Sequence, residues 1–77
     1  MNPKYAQAEA QRQQRLISLY SWGKLNLSAE EIAEGGASSK LADKALEMFG
    51  VSTYTANNYA KVVVWRLKKE MVSANDN

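Results

Sequence analysis

The chain has neither cysteine nor histidine. Their absence excludes disulfide staples, thiolate and imidazole metal sites, and catalysis by Cys or His. Proline occurs once, at Pro3, and glycine only at Gly23, Gly35, Gly36 and Gly50, so interruptions of regular structure are few. No apolar run approaches the roughly 18 residues of a membrane span, and the Gln-rich start lacks the apolar stretch of a secretory signal. An intracellular protein with no membrane partner is expected.

With 77 residues, 45% hydrophobic and 23% charged, the composition is that of one small folded domain. Its bounds are expected at residues 1–72, with 73–77 as a frayed tail that has nothing to bury. Ten basic against eight acidic residues give a net charge of +2. That mild excess permits a nucleic-acid partner without requiring one.

The fold class read from the pattern is all-α, a bundle of three to four helices. Residues 4–22 are rich in Ala, Gln, Glu, Arg and Leu and keep an approximate helical period through Ala6, Ala10, Leu16, Ile17 and Tyr20. This first helix is predicted to stop near Gly23. Ser28-Ala29-Glu30-Glu31 reads as a capping box that opens a short helix ended by Gly35-Gly36. A third helix is predicted from a Ser38 or Ser39 cap to Phe49, and a fourth from a Ser52 or Thr53 cap to about Met71. The strand-like run Val62-Val63-Val64-Trp65 has no return strand after it, so no wing is expected. The predicted core is Ile17, Tyr20, Ile32, Leu41, Ala45, Phe49, Val51, Ala56, Tyr59, Val63 and Leu67.

On a helical wheel of about 100° per residue, the fourth helix separates into two faces. Ala56, Tyr59, Ala60, Val63 and Leu67 form the packing face. Tyr54, Asn57, Asn58 and Lys61 follow i, i+3, i+4, i+7 spacing on the other side and offer hydrogen-bonding groups and a cation suited to base edges and phosphates. The same stripe also suits a plain solvated helix face.

Residues 41–60 resemble the helix-turn-helix superfamily of DNA-binding domains. Ala45, Phe49, Val51, Ala56 and Tyr59 occupy the motif's apolar positions, and its turn reads Gly50-Val51-Ser52 before Thr53. The match departs from the motif at Leu46, where a very small residue is usual. The resemblance implies double-stranded DNA as partner and Tyr54, Thr55, Asn57, Asn58 and Lys61 as base-reading residues. Ser52 and Thr53 would then lie near phosphates at the helix start. Arg12, Arg15, Arg66, Lys68 and Lys69 complete the candidate phosphate contacts, although Lys68-Lys69 equally suit the helix dipole. A role in transcription regulation or DNA maintenance, in the cytoplasm or the nucleoid, is expected.

Regional charge agrees with that placement. Residues 1–27 hold four basic and one acidic residue, 28–50 two and five, and 51–77 four and two. The reading helix is basic and its supports are acidic.

Trp65 falls on the polar face, beside Lys61 and Asn58, and so needs a cover. Cover by the first helix through Tyr20 and Trp22 is expected. The alternative is a homodimer or protein-docking surface made of Val62, Val64, Trp65 and Trp22, the hallmark of a small helical adaptor. A third option is single-stranded RNA stacked on Tyr54. No nucleophile-base pair or phosphate-cradling glycine loop is visible, so no enzyme activity, metal or cofactor is expected.

Overall fold

The computed structural model describes residues 3–75, and they form four helices. They are α1 (Pro3–Asn26), α2 (Ala29–Glu34), α3 (Gly36–Phe49) and α4 (Thr53–Asn75). The all-α reading is correct. Among the described residues no helix is long and apolar enough to cross a membrane.

Local chemistry explains most of the boundaries. α1 opens at Pro3, where a missing N–H and a fixed φ suit the first helical position. The capping box of α2 forms as read from the sequence, with Glu31 N–H donating to Ser28 Oγ and Ser28 N–H donating to Glu31 Oε1, both at 3.1 Å. Between α3 and α4 the chain reverses at Gly50, whose φ of +62° lies in the left-handed region that glycine enters without a Cβ penalty. Its N–H donates to Leu46 O at 3.0 Å and closes the helix end. Ser52 then caps α4, its Oγ accepting from Thr55 N–H at 3.2 Å.

Three boundaries differ from the sequence reading. α1 runs through Gly23 to Asn26 instead of stopping there. Gly23 is buried, and a Cβ on it would meet Leu41 Cδ2 at 3.2 Å and Leu67 Cδ1 at 3.4 Å, so the glycine lets α1 approach both helices. α3 begins at Gly36, not after Ser38 or Ser39, and that earlier start places fully buried Ala37 inside the helix. α4 continues to Asn75, beyond the expected end near Met71 and into the segment read as a tail. Asp76 and Asn77 lie outside the described residues.

α3 and α4 share the largest interface, and α1 and α2 each pack on both of them. The core is Leu19, Ile32, Ala37, Leu41, Ala42, Ala45, Ala56, Tyr59, Ala60, Val63 and Leu67. Alanine at five of these positions lets the helices pack closely. Ile17, predicted as core, is 61% exposed, and Leu19 is buried in its place. Tyr20, Phe49 and Val51 are half-buried and pack against the core from its edge. Residues 5–14 of α1 are all exposed, so the amino-terminal half of that helix projects from the body and lengthens the molecule to 43 Å.

Candidate nucleic-acid interface

The packing face of α4 fixes what its other face can do. Ala56, Tyr59, Ala60, Val63 and Leu67 are all buried against α3 and its neighbours. Residues on the far side of the wheel must therefore point outward. Tyr54 is 76% exposed, Asn57 and Lys61 are exposed, and Asn58 is half-buried. The expected stripe is thus a surface feature, and its polar groups are accessible to a ligand.

Arg12 of α1 is brought to the same place. It lines a shallow groove with Thr55, Asn58, Tyr59, Lys61 and Val62, although its Nη1 also stands 3.9 Å from Glu9 Oε1 on the same helix. An exposed pair at that distance holds the guanidinium weakly. Thr55 sits at the edge of the groove and its Oγ1 accepts from Ser52 Oγ at 3.1 Å, so both hydroxyls belong to the helix cap. Thr53 is exposed at the first position of α4.

The remaining candidate cations divide by position. Arg15 turns inward: its guanidinium lies 5.7 Å from the centroid of Phe49, and its Nη1 is 3.5 Å from the Tyr59 hydroxyl. That arrangement braces the edge-to-face pair of Phe49 and Tyr59, whose centroids are 6.2 Å apart. Arg66 faces α1, over the Tyr20 ring at 5.0 Å and 3.6 Å from Glu70 Oε1. Lys68 is exposed beside Met71 and Val72, and Lys69 Nζ sits 4.8 Å over the Trp65 ring.

The four residues expected on one partner surface differ in exposure. Val62 and Trp65 are exposed, at 40% and 63%. Val64 and Trp22 are half-buried and pack against the core, and the Trp22 ring lies under Lys44 Nζ at 5.4 Å. The expected cover of Trp65 by the first helix is absent. Tyr20 is engaged elsewhere, donating to Glu70 Oε2 at 2.6 Å. Ile17, which the sequence reading put inside, borders with Val62 a groove between α1 and α4.

Carboxylates lie apart from the outward face of α4. Among the described residues that helix holds one, Glu70, on its α1-facing side. Hydrogen bonding from Tyr20 holds the Glu70 carboxyl below the usual carboxylate range, against partial burial and with help from Lys24 and Arg66. Glu31 is likewise lowered, by its contact with Lys40 and by the Ser28 backbone. Asp43 and Glu47 stand on the exposed face of α3. The molecule therefore presents a carboxylate-free basic helix face and an acidic support.

Comparison of the chain with protein-family models, curated protein sequences and solved structures finds no match.

Proposed function

We propose that this protein binds duplex DNA, with α3, the turn at Gly50 and α4 acting as a helix-turn-helix and the first half of α4 entering the major groove. The observation that carries this reading is the outward stripe of Tyr54, Asn57, Asn58 and Lys61, with Arg12 of α1 beside it. Asn58 and Asn57 offer the paired donor and acceptor that fit an adenine edge. Lys61 serves a guanine or a phosphate, and Arg12, Lys68 and Lys69 serve phosphates. Ser52 acts by fixing the start of α4, so the backbone N–H groups of Thr53 and Tyr54 are set toward a phosphate. The acidic faces of α2 and α3 orient the molecule by turning away from the phosphate backbone.

Transcription regulation or an accessory role in DNA maintenance is the use that suits a small reader of this kind. Titration of wild type and Asn58→Ala against random duplex DNA over a salt series tests the reading. With about four phosphate contacts, log affinity should fall against log salt with a slope near −3.6. Absence of binding at low salt removes it.

The exposure of Trp65 beside Val62 favours a second reading, a helical adaptor or homodimer docking through that pair. Light scattering of wild type and Trp65→Ala distinguishes it: loss of an oligomer with unchanged DNA affinity supports the adaptor.

A further inference from the structure

Trp65 is the largest exposed aromatic side chain in the described residues, and its surroundings are cationic. Lys69 Nζ lies over its ring at 4.8 Å, and Lys61 and Lys68 flank it at i−4 and i+3 on the outward face of α4. No carboxylate pairs with Lys61 or Lys68 among the described residues, and Glu70, the one carboxylate of α4 there, borders a groove with Trp65, Arg66 and Lys69 but is engaged by Tyr20, Lys24 and Arg66. Tyr54, Asn58, Lys61, Trp65 and Lys68 follow alternating steps of four and three residues. They therefore form one continuous line along the helix.

We infer that Trp65 is a nucleic-acid contact, in which the indole packs on the sugar-phosphate strand bordering the groove and its Nε1–H donates to a phosphate oxygen. This inference rests on the DNA-binding reading above and extends its surface into the second half of α4. The dimensions agree. Seven residues separate Asn58 from Trp65, a rise of about 10 Å along a helix. A major groove is about 12 Å wide, so a helix with Asn58 at the base edges brings Trp65 to the bordering strand.

Charge selects the occupant. A second copy packed on the same face in a two-fold arrangement would bring Lys61, Lys68 and Lys69 of the two copies together, with Glu70, already engaged by Tyr20 and Lys24, the one carboxylate of α4 among the described residues at its edge. A polyanion meets the same cations favourably and leaves the indole a flat, rigid surface to cover.

The test compares wild type with Trp65→Phe and Trp65→Ala. Trp22 is the other tryptophan, so the difference in emission between wild type and Trp65→Phe reports Trp65 alone. Saturation with duplex DNA should change that difference signal and protect it from acrylamide. Trp65→Ala should weaken duplex binding about tenfold, equally for unrelated sequences, because a phosphate contact carries no base information. Its side chain is exposed, so melting should confirm an unchanged fold.

Duplex binding that is weakened by Asn58→Ala but leaves Trp65 emission and the Trp65→Ala affinity unmoved overturns this inference and spares the DNA reading. Equal protection by polyglutamate, or a dimer lost in Trp65→Ala at unchanged DNA affinity, also overturns it. Wild-type protein that binds no duplex at low salt overturns both.

Discussion

The hydroxyl of Tyr20 in α1 donates to the carboxylate of Glu70 in α4, lying 2.5 Å from one oxygen and 2.6 Å from the other. Lys24 Nζ reaches the same carboxylate at 3.3 Å, and Arg66 flanks it at 3.6 Å. α1 otherwise meets α4 through a modest apolar contact, because its amino-terminal half is exposed and buries no side chain against the core. This cluster therefore pins the carboxyl half of α1 beside the second half of α4 and sets where Arg12 is delivered.

That cluster should make stability depend on acid. Glu70 titrates below its ordinary value of 4.5 in the folded chain, so its contribution is fully present above the unfolded carboxylate value. It is lost as pH falls through the folded one. Glu31 acts in the same direction through Lys40 and Ser28. Thermal melting between pH 7 and pH 3 should show a midpoint that is level near neutrality and falls below about pH 4.5. Glu70→Gln should lower the neutral plateau and flatten part of that acid fall. An unchanged pH profile in Glu70→Gln would show that the carboxylate is not held.

Gly50→Ala isolates a backbone cost. A Cβ at Gly50 meets nothing within 4 Å, so crowding contributes nothing, and the whole penalty comes from holding alanine at φ +62°. A destabilisation of about 1–2 kcal/mol is expected. Gly50→Asn, whose side chain tolerates the left-handed region, should lose less. Chemical denaturation of the three proteins checks the order, and equal stability of Ala and Asn variants would contradict it.

Three features set by neighbouring residues are legible in the sequence. The capping box at Ser28 and Glu31, the turn at Gly50 and the inner face of α4 each follow from neighbouring residues. The failures lie where distant partners decide. Gly23 looks like a helix stop until Leu41 and Leu67 arrive against it from other helices. Ala37 draws the start of α3 forward past two better caps, Ser38 and Ser39, because it is buried. In α1 the stretch from Leu16 to Trp22 is hydrophobic at five of its seven positions, so its wheel allowed either Ile17 or Leu19 to face inward. Leu16, Leu19, Gly23 and Leu27, spaced by three or four residues, marked the packed side; Gly23 hid it by resembling a break. At Trp65 the wheel placed the side chain correctly, but the expected cover never existed, because α1 turns its apolar side to the core. The outward stripe of α4 was legible for the same reason that its core was, since one face defines the other.

The choice between Ile17 and Leu19 gives a direct measurement. Leu19 is fully buried, so Leu19→Ala should cost about 2–5 kcal/mol through lost burial and a residual cavity. Ile17 is 61% exposed, and Ile17→Ala should change stability by about 0.5 kcal/mol or less. Urea denaturation separates the two by a wide margin. A larger cost at Ile17 would return α1 to the register read from the sequence.

Arg12 and Arg15 stand one helical turn apart on α1 and should respond in opposite ways. Arg12 is exposed, paired only with Glu9 at 3.9 Å, and borders the groove with Asn58 and Lys61. Removing it should leave melting within about 0.5 kcal/mol of wild type, since exposed ion pairs contribute little. If it meets a phosphate, Arg12→Ala should weaken DNA binding at every sequence and make the log-log salt slope shallower by about 0.9. Arg15 is half-buried against Phe49 and Tyr59, so Arg15→Ala should instead lose about 1 kcal/mol of stability and leave the salt slope unchanged. Asn58→Ala supplies the third signature, a loss of affinity that varies with sequence at constant slope. A salt slope altered by Arg15→Ala but not by Arg12→Ala would mean that the phosphate backbone runs along the other edge of α1.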